Sequence, residues 1–357
     1  MKRTPIAILP EIENGNTRPL DLLERQNLYF SSYQIATGNS SKPIVFYTSK
    51  ESLKSDVEFP NIETVRIGDG QTHFFSIPFH IRKELKRRQA SPRFIVAGTP
   101  FQPFLLALMV RIFFPKSAIQ ISIHGELSGI KSDNFSGFLK FVFLRLTIKQ
   151  AKAVRFVSEE QKREFQPILG PLQKTVVTPV PIPLSHVGAK PSTGRAVGFV
   201  GRLHHERGVD EWLEIAKKIP DIDLLIIGDG PEKKKMMDEI QRGEFLGFVA
   251  PEKLLDLWPR MGVLLSAAPY ESYGLALREA LLNGVPVVSR DNAGSRELRG
   301  VAPDLVSLYT SVDEAIRAVR SHLNNPPKLS QVEAFMENFK TKQRESLQEL
   351  AQVWLGL

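Results

Sequence analysis

The sequence predicts an α/β protein with parallel sheets, organised as two domains. Three observations lead to this fold class. Short apolar runs typical of buried strands alternate with helical patterns along the whole chain. A length of 357 residues exceeds one ordinary hydrophobic core and suits two domains. A proline-rich stretch near the middle interrupts the alternation, which then starts again.

The first half of the chain is predicted to contain six strands and at least four helices. The strands are expected at residues 6–9, 43–47, 64–67, 94–97, 118–123 and 153–157, and the helices at 20–36, 79–88, 104–114 and 136–150. Ser158 and Gln161 form a capping-box pattern, so another helix should follow the last of these strands directly.

The boundary between the domains is expected near residue 185. Three prolines in residues 178–184 hold the backbone extended and oppose a helix. The second half then resumes with strands at 196–201, 223–227, 243–248, 262–267 and 286–289, and helices at 209–218, 232–242, 251–257 and 274–282. We therefore expect a first domain at 1–185, a second at 186–330, and helices at 331–357 that pack back towards the first.

Composition and charge restrict the function. The chain has no cysteine, which excludes thiolate zinc sites, iron–sulfur clusters and cysteine nucleophiles and fits a reducing cytosol. No targeting segment is visible, and the longest apolar stretch, 101–114, is too interrupted to span a bilayer. Residues 1–185 contain 25 basic and 15 acidic residues, whereas the remainder contains 22 and 24. The basic half suits an anionic partner (nucleic acid, a phospholipid surface or a phosphorylated substrate) or is simply a solvated surface.

Two loops of the second half have the composition of phosphate-binding turns. Gly201 and Arg202 end a predicted strand, and Arg207 follows five residues later, so two guanidinium groups can fork onto a diphosphate. A glycine-rich turn beginning at Gly228 ends the next strand. Each pattern also suits an ordinary loop, with solvated arginines in the first case and a tight turn in the second.

A third segment, beginning at Glu271, carries more information. Glu271 lies just before a predicted helix, which the backbone amides of Ser272, Tyr273 and Gly274 open as an anion site. Glu279 follows eight residues later, on roughly the same side of the helix. The alternative is an amphipathic helix whose two glutamates face water.

These motifs occur in one order, and residues 197–298 resemble the donor domain of glycosyltransferase family 4, retaining enzymes of the GT-B fold. The resemblance implies two Rossmann-like domains whose parallel sheets face each other across a cleft. It implies that Arg202 and Arg207 hold the donor diphosphate, with Arg207 standing where the family usually has lysine. The remaining donor-side residues are assigned by the same resemblance: Glu271 with Ser272, Tyr273 and Gly274 to the sugar and distal phosphate, Glu279 to the ribose, Gly247 and Phe248 to the base, and Gly201 and Gly228 to the phosphate turns.

The first half resembles the family more loosely. His124, which follows a strand and precedes Gly125, is similar to the family's acceptor-domain histidine, although a lone histidine there is more often structural. The glycine pair common after the family's first strand is replaced by residues 10–18, which hold only Gly15.

The resemblance implies a glycosyltransferase that moves a sugar from a UDP- or GDP-sugar to a hydroxyl of a saccharide with retention of configuration, the leaving phosphate accepting the hydroxyl proton. No cofactor or metal ion is expected, because guanidinium groups and a helix dipole stabilise the leaving group. His204 and His205 are adjacent, and we expect their side chains not to converge on a metal.

The acceptor is predicted from the basic first half. Helix 79–88 carries five basic residues. Helix 136–150 mixes cationic and apolar residues, which suits a membrane interface and equally suits a buried element with a basic rim. We expect a lipid-diphosphate-linked saccharide at the cytoplasmic membrane face, in polysaccharide or lipopolysaccharide assembly. The alternatives are a small soluble acceptor or a non-catalytic nucleotide-sugar-binding protein. No nucleic-acid-binding motif accompanies the charge.

Overall fold

The structure, a computed structural model, describes residues 2–9, 19–38, 42–49, 58–68, 74–98, 102–124, 135–169, 174–188 and 190–357. The chain divides into two units. The first unit comprises Met1–Pro181 and Gln343–Leu357, and the second unit comprises Ile182–Lys342. The division between Pro181 and Ile182 falls inside the proline-rich segment 178–184.

The first unit contains a seven-stranded parallel sheet. Its strands are β1 (Lys2–Leu9), β2 (Ile44–Tyr47), β3 (Glu63–Arg66), β4 (Ala90–Gly98), β5 (Ala118–Ser122), β6 (Ala153–Phe156) and β7 (Lys174–Val177), in the order β3-β2-β1-β4-β5-β6-β7. Its helices are α1 (Pro19–Thr37), α2 (Ile77–Arg87), α3 (Gln102–Phe113), α4 (Phe135–Gln150) and α5 (Glu159–Phe165). Ser158 caps the last of these by accepting a hydrogen bond from the Gln161 amide, as its sequence pattern predicts.

The two faces of this sheet bury alternate residues of the same strands, because successive side chains of a strand point in opposite directions. Ile6 and Ile8 of β1 pack in a core with residues of α2, α3 and α4. Ala7, between them, packs in the opposite core, where α1 meets the end of the C-terminal helix. The sheet is therefore covered on both sides, which explains its near-continuous apolar strands.

The second unit contains a six-stranded parallel sheet. Its strands are β8 (Ala196–Val200), β9 (Leu224–Ile227), β10 (Gly243–Gly247), β11 (Met261–Ser266), β12 (Val287–Arg290) and β13 (Val306–Tyr309), in the order β10-β9-β8-β11-β12-β13. Its helices are α6 (Val209–Lys217), α7 (Lys233–Glu239), α8 (Pro251–Leu254), α9 (Leu275–Leu282), α10 (Ala293–Val301) and α11 (Val312–Asn324). The two faces of this sheet also carry separate cores.

Four elements were not predicted from the sequence: β7, β13, α10 and α11. Strand β7 is a short, partly exposed edge strand with little apolar signal. Helix α11 does have a readable start, since Ser311 and Glu314 form a capping box. The several helices expected after residue 331 are one helix, α12 (Leu329–Leu355).

Helix α4 combines the two alternatives that its sequence left open. Leu144 and Ile148 are fully buried in the core, whereas Phe138 and Leu146 are exposed. Arg145 is exposed beside Leu146. Within the described ranges, no helix is both long enough and apolar enough to cross a membrane.

Both sheets reverse their strand order beside their first strand, between β1 and β4 in the first unit and between β8 and β11 in the second. Crossover connections leave such a point in opposite directions, so the loops after the two strands diverge and open a crevice. Parallel sheets bind ligands in this crevice, at the carboxyl ends of the strands. The fold therefore offers one candidate site in each unit.

Trp354 anchors the end of α12 in the first unit. Its ring lies 4.7 Å from that of Phe30 in a stacked arrangement, and its indole N–H donates to Gln120 Oε1 at 2.6 Å. We expect Trp354→Ala to lower the free energy of unfolding of the first unit by about 3–5 kcal/mol, because it leaves a large cavity and an unpaired amide.

The measurement is urea unfolding followed by far-ultraviolet circular dichroism, since removing the tryptophan alters fluorescence. Gln352→Ala, at an exposed position of the same helix, is the control and should leave stability within about 0.5 kcal/mol. Equal stability of the two variants would show that the end of α12 does not contribute to the core.

Candidate active site

The candidate site of the second unit is formed by loops after β8, β9, β11 and β12. The loop after β8 carries Arg202 and Arg207, and the loop after β11 carries Glu271. These two strands are neighbours at the point where the strand order reverses. The topology thus brings together two segments that are more than sixty residues apart in the sequence.

Arg207 and Glu271 contact each other directly. Arg207 Nη1 donates to Glu271 Oε2 at 2.8 Å. The Glu271 side chain is only 15% exposed, whereas Arg207 is open to solvent. Two of the three residues on which the predicted phosphate and sugar site depends therefore form one ion pair.

Arg202 has a different partner within its own loop. Its Nη2 donates to Glu206 Oε2 at 2.8 Å, and Glu206 also lies 3.4 Å from His204 Nδ1. Arg202 and Arg207 are thus placed on the same loop, each held by a carboxylate.

The expectation that His204 and His205 do not converge is wrong. Their ring centroids are 4.1 Å apart, because the loop turns in a short 3-10 helix, His205–Arg207. Ligand atoms of His204, His205 and Glu206 lie within 4.8 Å of one another, a grouping that could hold a metal ion.

Two glycines allow these loops to approach closely. At Gly208, with φ +67°, a Cβ atom would lie 1.9 Å from the Ala267 carbonyl oxygen, so the β8 and β11 loops touch through their backbones. At Gly294, in the first turn of α10, a Cβ atom would lie 2.2 Å from the Glu271 carbonyl oxygen. The backbone of Glu271 therefore contacts α10 at Gly294, where any side chain would collide with it.

Helix α9 begins one residue later than the sequence predicts. Gly274, with φ +70°, is its N-cap, and its carbonyl accepts the first helical hydrogen bond from the Arg278 amide at 3.0 Å. The amides left without helical partners therefore begin at Gly274. Ser272 and Tyr273 precede the helix, and Glu279 lies half-buried in its second turn.

The loop after β9 lies against the end of β10. The Gly228 amide donates to the Gly247 carbonyl at 2.8 Å, and a Cβ atom on Gly228 would lie 1.8 Å from the Gly201 carbonyl oxygen. A hydrogen bond from Lys233, helped by the Gly230 amide, lowers the pKa of Asp229. Phe248 is exposed just beyond. The backbone positions predicted for phosphate and base thus adjoin one another.

Arg278 is a buried cation that the sequence reasoning missed. It is only 5% exposed, its guanidinium lies 3.7 Å from the Tyr273 ring centroid, and its Nη2 donates to Glu297 Oε1 at 3.3 Å. These contacts hold the segment before α9 onto α10. The sequence did contain a signal for this residue, because Arg278 stands among apolar residues of the predicted helix.

His124 lies in the first unit, two residues beyond β5. Desolvation by surrounding groups lowers the pKa of His124 to about 3, and the positive charges of Arg155 and Arg25 act in the same direction. With its pKa lowered in this way, the imidazole is neutral at pH 7. The residue nevertheless keeps solvent-exposed surface. Gly125 and residues 10–18 lie outside the described residues.

Gly294 and Gly300 provide a matched test of the contact with Glu271, because both lie in α10. We expect Gly294→Ala to lower the free energy of unfolding of the second unit by about 1–3 kcal/mol, since the new methyl group collides with backbone atoms. Gly300→Ala meets nothing within 4 Å and should be neutral or stabilising by up to about 1 kcal/mol. Urea unfolding measures both, and equal effects would contradict the close approach.

Comparison with known proteins finds similarity in the segment that carries the loops of the second unit. Residues 184–340 match the sequence model of the family described as glycosyl transferases group 1. The 2-deoxystreptamine glucosyltransferase of Streptomyces kanamyceticus is 31% identical over 156 residues, which cover 40% of this chain and 40% of that protein. The GDP-mannose-dependent alpha-mannosyltransferase of Mycolicibacterium smegmatis is 33% identical over 130 residues, covering 36% and 34%. This chain thus aligns with well under half of either relative's length.

A similar fold extends over the whole chain. The structure of Anabaena HepE in complex with UDP-glucose superposes with a TM-score of 0.73 and 15% identity, covering 99% of this chain and 100% of that one. The chain thus has the GT-B fold class of two Rossmann-like domains, and its residues 184–340, which include the loops of the second unit described above, match the glycosyl transferases group 1 family.

Proposed function

We propose that the protein is a retaining glycosyltransferase that moves a sugar from a nucleotide-diphosphate sugar to a hydroxyl group of a saccharide acceptor. The observation that carries this proposal is the Arg207–Glu271 ion pair beside the first turn of α9. It places a cation, an acid and free backbone amides at one edge of the sheet, the groups that a diphosphate and an attached sugar require. The family match of this segment supports the same activity.

The donor is a UDP- or GDP-sugar in this proposal, bound to the second unit. Arg202, Arg207 and the amides at the start of α9 hold the diphosphate. Glu271 accepts hydrogen bonds from the sugar hydroxyls, and Glu279 accepts them from the ribose. The backbone near Gly247 and the Phe248 ring contact the base. Relatives include a GDP-mannose-dependent enzyme and a structure with UDP-glucose, so both nucleotides belong in the test.

The reaction breaks the bond between the sugar anomeric carbon and the diphosphate oxygen. Its electron pair leaves with the diphosphate, while positive charge develops on the sugar ring. Arg202, Arg207 and the α9 amides stabilise the negative charge where it appears, which lowers the barrier without a covalent intermediate. The acceptor oxygen bonds to the anomeric carbon on the face the diphosphate leaves, and its proton passes to a leaving phosphate oxygen.

We propose that this chemistry needs no metal ion. Two guanidinium groups and a helix N-terminus supply the positive charge that a divalent cation provides elsewhere. His204, His205 and Glu206 could gather a metal, yet Glu206 already bonds Arg202. Chelation of divalent ions therefore leaves turnover unchanged in this proposal.

We propose a lipid-linked saccharide as the acceptor, used at the cytoplasmic face of a membrane in polysaccharide or lipopolysaccharide assembly. The support is an aromatic–basic surface formed by Phe75, Phe79, Arg82, Lys83 and Ile112, on α2, α3 and the turn before α2. Phe79 is 57% exposed and Ile112 is 76% exposed. The Phe79 and Arg82 side chains both pack against the Phe113 ring, at 5.3 and 4.7 Å. Apolar side chains beside cations suit an anionic lipid interface.

Donor turnover tests the catalytic proposal. A thermal-shift screen of UDP-, GDP- and ADP-sugars selects the donor, because a ligand that binds the folded state stabilises it. With that donor and EDTA in every assay, we expect Glu271→Gln to lower kcat/KM by about a hundredfold or more, since it removes the carboxylate that orients Arg207 and the sugar.

The control for this experiment is Glu214→Gln, which replaces an exposed glutamate paired with Lys218 on α6 and should leave turnover unchanged. The product's anomeric configuration, read from proton NMR couplings, tests retention. Wild-type turnover in Glu271→Gln, with an unchanged melting temperature, would overturn the assigned role.

Vesicle flotation tests the membrane proposal. We expect the double variant Phe79→Ser/Ile112→Ser to bind vesicles containing phosphatidylglycerol at least about tenfold more weakly, because two exposed apolar side chains no longer enter the interface. Ile35→Ser is the matched control, since Ile35 is also exposed but lies on α1, across the sheet. Equal binding of both variants, or no binding by the wild type, would favour a soluble acceptor.

A further inference from the structure

A second candidate site lies in the first unit, at the carboxyl edge of its sheet. A pocket of about 220 Å³ opens there, lined by the ends of β1, β4 and β5 and by residues of α1 and α12. Its floor includes Leu9 and Gly98, the last residues of β1 and β4, where the strand order reverses. This is the crevice in which a parallel sheet binds ligands.

The charge of this pocket is positive. Two arginines line it, Arg25 and Arg155, and no aspartate or glutamate is among the lining residues that the structure describes. Arg155 is almost fully buried and donates to the Thr178 carbonyl at 2.8 Å, and its guanidinium lies 4.3 Å from the Tyr29 ring centroid. It is thus fixed in place. Burial raises the pKa of Tyr29 and the Arg155 charge opposes that shift, whereas burial lowers the pKa of His124 and the Arg155 charge adds to that shift.

Arg25 and Gln26 are the pocket groups left open for a ligand. Within the described residues, Arg25 forms neither a hydrogen bond nor an ion pair, although it half-buries its side chain beside Arg155. Gln26 Oε1 is buried and has no hydrogen-bond partner among the described residues. Folded proteins rarely leave buried polar atoms unpaired, so a neighbouring cation and an unpaired carboxamide oxygen indicate a place for a polar ligand.

The remaining polar groups point to a ligand that accepts hydrogen bonds. Trp354 Nε1 donates to Gln120 Oε1, and Gln120 Nε2 donates to Ser122 Oγ at 2.8 Å. The Ser122 hydroxyl therefore accepts from Gln120 and keeps its own proton for another partner. Arg25 and Ser122 therefore both present donors, a set suited to an oxyanion.

We propose that this pocket binds a phosphoryl group carried by the acceptor saccharide, with Arg25 as its ion-pair partner and Ser122 as a hydrogen-bond donor. The inference rests on the proposed function, because it names the chemistry of the acceptor. Rotation of the Gln26 amide presents its NH₂ group to the same phosphoryl oxygens. The group can belong to a soluble sugar phosphate or to a diphosphate-linked lipid, since both present the same oxygens to the pocket.

The test measures binding of glucose 1-phosphate to the full chain by calorimetry, with glucose as the uncharged match. Saturating UDP or GDP is present to occupy the proposed diphosphate site of the second unit. The heat of glucose 1-phosphate binding then reports only on the pocket of the first unit. We expect saturable binding of glucose 1-phosphate and none of glucose. Arg25→Gln should weaken it about tenfold or more, and Arg25→Lys should weaken it less, because a charge-assisted hydrogen bond is lost only in the first.

Two further variants separate a binding role from a structural one. Arg163→Gln, at an exposed arginine paired with Glu160 in the same unit, is the control and should bind normally. Gln26→Met removes the unpaired buried carbonyl, so it should raise the melting temperature of the free chain while weakening glucose 1-phosphate binding. Lowered stability with unchanged binding would show that Gln26 is only structural.

The outcomes distinguish this inference from the proposed function. Equal binding in wild type and Arg25→Gln, or no saturable binding, overturns the phosphoryl pocket even where nucleotide sugars turn over. Arg25-dependent binding in a chain that binds no nucleotide supports the pocket and overturns the glycosyltransferase. Turnover with glucose 1-phosphate indicates a soluble acceptor, whereas competition only by vesicles containing an undecaprenyl phosphate indicates a lipid source.

Discussion

The ion pair between Arg207 and Glu271 is the interaction on which the second unit's site depends. It joins the loops after β8 and β11, the two strands that flank the reversal of strand order. With one partner exposed, such a pair contributes only about 0–1 kcal/mol to stability. Its effect is therefore on geometry: it holds a guanidinium and a carboxylate 2.8 Å apart, and in the proposed function these groups contact a phosphate and a sugar hydroxyl. The glycine contacts at Gly208 and Gly294 fix the backbones that carry it.

The two sheets share a topology but carry different charge at their carboxyl edges. In the second unit each loop arginine has a carboxylate partner, Arg202 with Glu206 and Arg207 with Glu271. In the first unit, the described residues that line the pocket beside β1 and β4 include Arg25 and Arg155 and no carboxylate. The excess of basic residues in the first half of the sequence is thus also found at the carboxyl edge of the first unit's sheet. At the sheet edge of the second unit, phosphate oxygens can replace the carboxylates that pair with the two arginines. At the sheet edge of the first unit, an anion can contact arginine without displacing a carboxylate of the described residues.

Much of the fold could be predicted from the sequence, because parallel strands covered on both faces read as short apolar runs. Strand β7 was missed because it lies at an edge, where burial is incomplete and the apolar pattern is weak. In the site, Arg202, Arg207 and Glu271 were readable as motifs that follow strands. Their pairing was not, because a hydrogen bond depends on how two distant loops approach. The converging rings of His204 and His205 depend likewise on a single 3-10 turn. Arg155, in an otherwise apolar strand, was a signal of the first unit's pocket that sequence reasoning left unused.

The charge of the pocket in the first unit also governs the state of His124. Desolvation is the largest cause of its lowered pKa, and Arg155 and Arg25 add to it. A phosphoryl group bound beside Arg25 would offset part of the guanidinium charge and move the pKa of His124 back upwards. Anion binding and proton uptake at His124 therefore favour each other, as linkage requires. Because desolvation remains after the charges are offset, the imidazole stays neutral near pH 7. A neutral imidazole adds no further positive charge to the pocket that Arg25 and Arg155 line.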